Sequence, residues 1–169
     1  MAETVYILMG SNIGDREKNL KAALAQMELI SGLEIIAASG IYITEAQDME
    51  GENPPFLNQV VAGDYQFLPQ ELLTALEKIE TAMGRTGKGD KLPRTIDLDI
   101  LLFGERVEKT KSLSLPHPEL LNRPFAMVPL VDVSPELVHP ARKQPVADFI
   151  KDEDRRKVVL YKDHVARDI

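Results

Sequence analysis

The sequence predicts a single α+β domain spanning residues 1–169. The length of 169 residues suits one ordinary domain, and the content of 44% hydrophobic and 28% charged residues is typical of a globular chain. Strand-like and helix-like segments also alternate along the chain. Because the sequence contains no cysteine, disulfides, thiolate zinc sites and cysteine nucleophiles are excluded together.

The first part of the chain has the pattern strand, helix, strand. Residues 4–9 are a short apolar run and predict a buried strand. Apolar residues recur at helical spacing over residues 15–30, with Asp15 at the N-cap position and Gly32 at the expected stop. Residues 33–44 then return to β-type composition.

The second part repeats the alternation. Residues 45–55 are polar and predict a long loop, and residues 56–67 again resemble a strand. Pro69 opens a second helix that Gly84 ends, and residues 95–103 form another strand. The resulting order of strand, helix, strand, strand, helix, strand is that of a ferredoxin-like unit.

The remainder is a C-terminal extension of this unit. Residues 115–133 are a segment punctuated by prolines, residues 146–150 suit a short helix, and residues 157–161 suit a late strand. No internal repeat or low-complexity tract divides the chain, which supports one domain.

The charge balance excludes several classes of function. Twenty basic against 27 acidic residues give a net charge of −7, whereas nucleic acids and anionic membranes attract a basic face. The N-terminus lacks a basic n-region followed by an apolar h-region, and no apolar run reaches the length of a membrane span. We therefore expect a cytoplasmic monomer whose partners are small molecules, with neither nucleic acid nor membrane among them.

The strand over residues 95–103 carries the most informative pattern. Side chains alternate on a strand, so we expect Asp97 and Asp99 on one face with Leu101 and Phe103. The opposite face would hold Ile96, Leu98, Ile100 and Leu102. Two residues of about 3.3 Å rise each would separate the carboxylates by roughly 6–7 Å, which suits divalent ions about 3.5–4 Å apart. A solvent-facing strand end is the alternative, but unpaired buried carboxylates are costly, and we interpret the pair as metal ligands.

A basic segment precedes this strand. Residues 85–94 contain Arg85, Lys88, Lys91 and Arg94 against one acidic residue, in a chain whose net charge is −7. A positive island beside two carboxylates is what a nucleotide triphosphate with magnesium requires. A solvated loop is the alternative, but Arg94 lies three residues before Asp97.

Two other segments carry weaker signals. Residues 10–15, GSNIGD, could present backbone N–H groups to phosphate, although a tight turn fits them equally well. Residues 115–125, LPHPELLNRPF, hold His117, Arg123 and Phe125 on a segment rigidified by prolines.

Taken together, these motifs resemble a known family. The segments YILMGSNIGD, FLNQVV, EKIETAMGR, PRTIDLDILLFG and LPHPELLNRPFAMVPLVDV occur in this order, over about residues 5–140. The chain is similar to the 6-hydroxymethyl-7,8-dihydropterin pyrophosphokinases of folate biosynthesis. The resemblance implies transfer of the diphosphoryl group of ATP to the pterin hydroxymethyl group, leaving AMP, with two Mg²⁺ ions.

The resemblance also implies roles for individual residues. The implied catalytic residues are Arg85, Arg94, Asp97 and Asp99, of which the aspartates are the magnesium ligands. The implied ATP-binding residues are Glu77, Glu80, Arg85, Lys88, Arg94, His117 and Arg123. The implied pterin-binding residues are Thr44, Phe56, Asn58, Asp97 and Phe125, with the two phenyl rings sandwiching the pterin and Asn58 reading its edge.

The chain departs from the family pattern at a few positions. Phe56 stands where better-known members carry a tyrosine. Gly87 and Leu92 lie near the places of a loop arginine and a loop aromatic residue. Lys88 or Lys91 would have to replace that arginine, and a lysine does not make bidentate phosphate contacts. We expect these changes to affect rate and nucleotide contacts more than the reaction itself.

Two other functions stay open at this point. A nucleotidyltransferase pairs a Gly-Ser turn with Asp-x-Asp, but the 86 positions between Ser11 and Asp97 disfavour it. A magnesium–nucleotide sensor without turnover would explain the missing loop arginine. It would not explain Phe56, Asn58 and Phe125, which a nucleotide sensor would not need. We further hypothesise that residues 51–55 and 86–92 are lids that exclude water from the bound substrates.

Overall fold

The computed structural model describes residues 2–44, 55–84 and 95–163 and shows a mixed α/β fold with an antiparallel sheet. The strands in these ranges are β1 (Glu3–Ser11), β2 (Leu33–Ala38), β3 (Ile41–Thr44), β4 (Phe56–Tyr65), β5 (Asp97–Phe103), β6 (Glu108–Lys109), β7 (Ser114–Leu115) and β8 (Val159–Lys162). The α-helices are α1 (Arg16–Met27), α2 (Pro69–Ala82), α3 (Pro124–Val133) and α4 (Asp152–Lys157), with short 3₁₀ helices at Leu120–Asn122 and Val146–Phe149. None of the described helices combines the length and the apolar character needed to cross a membrane.

The main sheet has the strand order β5-β1-β4-β3-β8, and each pair of neighbours is antiparallel. β2 also pairs with β4, beside residues 61–65, whereas β3 pairs beside residues 56–58. β2 and β3 therefore follow one another along the same edge of β4, and β1 occupies the other edge.

The predicted β segment over residues 33–44 is interrupted at Ser39 and Gly40. The Val60 N–H donates to Ser39 Oγ at 2.9 Å, and the Gly40 N–H donates to an Asp132 carboxylate oxygen at 2.9 Å. A Cβ on residue 40 would lie 2.8 Å from a Leu160 methyl carbon, so glycine permits this close packing. Because of this interruption, residues 33–44 form two strands, β2 and β3, and both pair with β4.

The sheet is covered on both faces. One core lies between the sheet and helices α1 and α2, and its fully buried members include Val5, Leu20, Leu57 and Leu72. The second core lies on the opposite face under α3, with Leu8, Val60, Leu101, Leu102, Met127 and Leu130 among its members. We call this opposite face the α3 face.

The predicted alternation of side chains along β5 is wrong for its last two residues. Leu102 is buried in the core of the α3 face, and Phe103 in the core under α1 and α2. The register with β1 shifts by one residue at Leu101, which leaves two consecutive side chains on one face. This β-bulge exchanges the faces of the residues beyond it, while Asp97 and Asp99 precede it.

The starts of both predicted helices and the stop of α2 at Gly84 are confirmed, whereas α1 ends earlier than expected. Asp15 accepts the Lys18 N–H at 3.1 Å as the N-cap of α1, and Pro69 is the first residue of α2. α1 ends at Met27, and Gly32 has a φ of 83° in the turn that follows. Gly84, with a φ of 99°, follows the end of α2.

The C-terminal part contains more helix than the sequence predicts. The proline-punctuated segment includes α3, which has Pro124 in its first turn and Pro129 in its interior. Pro129 is buried in the packed α3 face, and this burial outweighs its poor helix propensity. The short helix expected at residues 146–150 is confirmed as a 3₁₀ helix, whereas α4 was not predicted.

We expect His139 to make the stability of the protein depend on pH. Its buried Nδ1 accepts the N–H groups of Ala141 and Arg142 at 3.3 and 3.1 Å. Burial, and then the charge of Arg142, lower the pKa of His139 below its ordinary value of 6.5. Because the folded state favours the neutral ring, its stabilising contribution is present above pH 6.5 and is lost as the pH falls below that value. Urea unfolding at pH 7, 6 and 5 should show this decline.

The matched variant is His139→Asn, whose amide oxygen can accept an N–H but does not titrate. Its free energy of unfolding should vary less between pH 7 and pH 5 than that of the wild type. Equal pH dependence of the two proteins would contradict the role given to this imidazole.

Candidate active site

Three adjacent strands bring two of the predicted site residues, Asn58 and Asp97, onto one face of the sheet. Gly10 of β1 lies opposite Asn58 of β4 on one side and opposite Asp97 of β5 on the other. The neighbours Met9, Leu57 and Leu98 are buried in the core under α1 and α2, so alternation directs Gly10, Asn58 and Asp97 to the α3 face. Two strand spacings separate the Asn58 and Asp97 backbones by about 10 Å.

Asn58 is buried, with 3% of its surface exposed. Its Nδ2 donates to Thr44 Oγ1 at 3.3 Å, so two of the predicted pterin-binding residues are in contact. Thr44 lies opposite Phe56 across the β3–β4 pair. Asn58, Thr44 and Phe56 therefore form one cluster at the end of the sheet.

Gly10 makes room for this cluster. A Cβ at this position would lie 2.7 Å from Asn58 Oδ1 and 3.5 Å from Phe56 Cδ1. The sequence analysis used Gly10 as the end of an apolar run and as the start of a candidate phosphate-binding turn, and it missed this function. The available signal was a glycine within a strand, which often marks a close approach of another group.

Asp97 and Asp99 are partly exposed at the start of β5, on the same face as Asn58. The structure thus confirms that the two aspartates share a face. No group of three or more His, Cys, Asp or Glu side chains suited to a metal occurs within residues 2–44, 55–84 and 95–163. A pair of carboxylates still fits Mg²⁺, which usually takes one or two carboxylates together with water and substrate phosphates.

The two glutamates of α2 that were predicted to lie near the nucleotide have different surroundings. Glu77 is exposed, whereas Glu80 is only 3% exposed and accepts the Leu98 N–H at 2.8 Å. Leu98 lies between Asp97 and Asp99 on β5. The Glu80 carboxylate therefore contacts the strand that carries the two aspartates.

His117 is anchored to β5 through its backbone, whose N–H donates to the Leu101 carbonyl at 2.9 Å. Its Nδ1 accepts the Glu119 N–H at 3.1 Å. The neutral ring consequently carries its proton on Nε2, which makes Nε2 a hydrogen-bond donor. This is the property that a contact with a phosphate oxygen requires.

Arg123 and Phe125 lie at the start of α3, and both are partly exposed. The Arg123 guanidinium carbon is 5.7 Å from the centroid of the Phe125 ring, a cation–π distance. The contact couples a predicted ATP-binding residue to a predicted pterin-binding residue. Arg85, Lys88, Lys91 and Arg94 lie outside the described residues, as do residues 86–92 and 51–54 of the hypothesised lids.

The pair of carboxylates and the buried amide lie on one face at one end of the sheet and define a candidate site for a ligand held with Mg²⁺. The model of the family described as 7,8-dihydro-6-hydroxymethylpterin-pyrophosphokinase matches residues 6–135. The chain belongs to this family.

Curated relatives are similar over most of the chain. The 2-amino-4-hydroxy-6-hydroxymethyldihydropteridine pyrophosphokinase of Aquifex aeolicus is 39% identical over 86% of this chain and 89% of its own length. The protein of the same name from Pseudomonas aeruginosa is 37% identical over 81% of this chain and 84% of its own length. The folic acid synthesis protein fol1 of Pneumocystis carinii is 38% identical over 95% of this chain, which spans only 22% of that longer protein.

Solved structures have a similar fold. An HPPK-DHPS in complex with substrates superposes with a TM-score of 0.66 at 16% identity, over 88% of this chain and 43% of the other. Wild-type Plasmodium falciparum HPPK-DHPS with pteroate gives a TM-score of 0.68 at 15% identity, over 88% and 42%. The chain thus spans less than half of each of these two proteins.

Proposed function

We propose that this protein transfers the diphosphoryl group of ATP to the hydroxymethyl group of 6-hydroxymethyl-7,8-dihydropterin, a step of folate biosynthesis. The observation that carries the proposal is the alignment of Asp97, Gly10 and Asn58 across three adjacent strands. A phosphate-binding half and a ring-binding half meet there on one face. Membership of the pyrophosphokinase family supports the same reaction.

In the phosphate-binding half, Asp97 and Asp99 would hold Mg²⁺, and we propose two ions. When bound, the metal neutralises the phosphate charge and aligns the reacting groups. The Nε2 donor of His117 and the guanidinium of Arg123 would bind phosphate oxygens, together with Arg85, Arg94 and Lys88. Glu77 is exposed on α2 and would contact the nucleotide.

In the ring-binding half, Asn58 would donate and accept hydrogen bonds along the pterin edge. Phe56 and Phe125 would stack on the two apolar faces of the ring, and the backbone at Thr44 would border it. The contact between Asn58 and Thr44 supports this role, since it fixes the orientation of the amide before the substrate arrives.

The chemical step then needs positioning more than acid–base catalysis. The hydroxymethyl oxygen attacks the β-phosphorus of ATP, the bond to the oxygen bridging the α- and β-phosphorus breaks, and AMP leaves with that oxygen. The proton of the hydroxyl group passes to water. Because the transferred group is polyanionic, charge neutralisation and in-line alignment supply most of the rate enhancement. We assign no residue as a general base.

We also propose that the core is a ferredoxin-like unit and that the protein acts as a cytoplasmic monomer. Two observations support the first statement. The elements follow one another along the chain as β1, α1, β2 with β3 in the place of one strand, β4, α2 and β5. In the sheet, β1 and β4 are the central strands. The charge of −7 supports small-molecule partners.

A mass-spectrometric assay tests the reaction. The protein is incubated with ATP, Mg²⁺ and 6-hydroxymethyl-7,8-dihydropterin, and AMP and the pterin diphosphate are quantified together. The proposal predicts equal amounts of the two products. Release of pyrophosphate with an adenylylated acceptor would indicate a nucleotidyltransferase, and magnesium-dependent ATP binding without product would indicate a sensor.

Gly10→Ala should selectively weaken pterin binding. The added Cβ would lie 2.7 Å from Asn58 Oδ1, closer than such contacts allow, so the amide must turn away from its position. We expect the KM for the pterin to rise about tenfold, as for the loss of one good hydrogen bond, with the KM for ATP little changed. Steady-state kinetics with each substrate varied in turn measures both values.

The matched control is Gly14→Ala, at a position where the nearest non-neighbouring atom to a Cβ is an Asn19 amide nitrogen at 3.8 Å. Its positive φ of 70° costs stability but does not touch Asn58. A pterin KM that rises equally in both variants would contradict the role of Gly10.

A further inference from the structure

We infer that Glu80 is a positioning residue that holds β5 so that Asp97 and Asp99 face the active site. The inference rests on the proposed function for its catalytic consequence. It gives Glu80 a different role from the nucleotide contact implied by family resemblance, because the residue acts on the strand of the metal ligands.

The position of Glu80 in α2 is unusual for a charged residue. Leu72 and Leu76 are fully buried at four-residue spacing, and Glu80 takes the next position of this stripe with only 3% of its surface exposed. Packing alone would favour an apolar residue there, since burying a carboxylate is costly. The acidic residue is therefore explained by what its carboxylate binds.

One group that it binds is the backbone N–H between the two aspartates. Glu80 Oε2 accepts the Leu98 N–H at 2.8 Å, and Leu98 itself is fully buried. In an antiparallel ladder, successive residues direct their N–H groups to opposite edges of the strand. Leu98 therefore points its N–H towards α2, while Asp97 and Asp99 direct theirs towards β1, where they lie opposite Gly10 and Leu8.

Contacts on both edges therefore hold the start of β5: Glu80 contacts the edge that faces α2 at Leu98, and β1 pairs with the other edge at Asp97 and Asp99. Asp97 is the first residue of the strand. Without the Glu80 contact, the Leu98 N–H would be buried without this acceptor and the strand would shift to satisfy it. Both carboxylates would move with the backbone, and loss of such supporting contacts typically reduces metal affinity or activity by 10–100-fold.

The experiment compares Glu80→Leu with Glu80→Gln. Leucine removes the acceptor, whereas the glutamine amide keeps an oxygen that can accept the Leu98 N–H but removes the charge. Amide hydrogen exchange measured by NMR, in the absence of metal and nucleotide, should be much faster at Leu98 in Glu80→Leu than in wild type. Exchange at Leu98 in Glu80→Gln should stay close to wild type.

The kinetic readout is the Mg²⁺ concentration for half-maximal activity at saturating ATP and pterin. We expect it to rise at least tenfold in Glu80→Leu and to change less than threefold in Glu80→Gln. General destabilisation would instead lower kcat without moving the Mg²⁺ dependence. Glu71→Gln, on the exposed side of α2, is the control for the helix.

Either of two results would overturn the inference: unchanged Leu98 exchange in Glu80→Leu, or a Mg²⁺ dependence in Glu80→Gln that shifts tenfold while Leu98 stays protected. If Glu80→Leu does not fold, Glu80→Gln decides alone by the same two measurements. A wild-type protein without pyrophosphokinase activity would refute the proposed function, and Leu98 exchange would still test whether Glu80 holds the strand.

Discussion

Asp97→Asn and Asp99→Asn should each abolish turnover while leaving the fold intact. Asparagine keeps the shape of the side chain and removes the charge that would hold Mg²⁺ at the transferred phosphates. Charge stabilisation by a catalytic metal is worth several kcal/mol, so kcat should fall by at least about 10³-fold. Both side chains are partly exposed, and the free energy of unfolding in urea should change by less than about 1 kcal/mol.

The matched control is Asp64→Asn, at the far end of the same sheet. Asp64 lies on β4 opposite Thr4, whose hydroxyl donates to it at 3.1 Å, and it is partly exposed like the site aspartates. This variant should keep wild-type turnover. Near-wild-type activity in either Asp97→Asn or Asp99→Asn would show that the paired carboxylates are not the metal ligands.

Asn58→Ala should weaken pterin binding and leave ATP binding nearly intact. The variant removes a buried amide that contacts Thr44 and lies beside Gly10, and the pterin edge would lose its donor and acceptor. Leaving buried polar groups without partners costs about 1–3 kcal/mol, which corresponds to a rise of roughly ten- to a hundredfold in the dissociation constant of the pterin. Isothermal titration calorimetry, with the pterin or a non-hydrolysable ATP analogue titrated into the protein, measures the two affinities separately.

The adjacent buried amide supplies the control. Gln59 lies on the same strand, is 8% exposed and donates to the Ser39 carbonyl at 2.9 Å, away from the α3 face. Gln59→Ala should lower stability without selective loss of pterin affinity. If both variants lost pterin affinity to the same extent, Asn58 would have only a structural role.

Local signals in the sequence predicted much of the fold. Asp15 and Pro69 mark the starts of α1 and α2 because capping and a fixed proline φ act within one helical turn. The pairing of Asp97 and Asp99 on one face is likewise local, since it depends only on strand alternation. These features needed no knowledge of the rest of the chain.

The features that the sequence did not predict depend on distant contacts. The bulge at Leu101 changes the face of Phe103 through the pairing of β5 with β1, which no pattern within β5 reveals. α3 includes Pro129 because the apolar α3 face buries this helix, against its local propensity.

The candidate site shows the same division. The pairing of Asp97 with Asp99 and the proline-rich surroundings of His117 were visible in the sequence, whereas Asn58 was implied only by the family resemblance. The function of Gly10 was not visible, since it arises from the registers of β1 with β4 and β5. The contact of Glu80 with Leu98 also joins elements that are distant in the sequence.

The central claim is that the β- and γ-phosphoryl groups move together from ATP to the pterin. Parallel reactions with ATP labelled with ³²P at the α, β or γ position test it most directly, with the nucleotide and pterin products separated by chromatography. The account predicts the β and γ labels in the pterin product and the α label in AMP. Transfer of the γ label alone, or appearance of the α label in the pterin product, would contradict it.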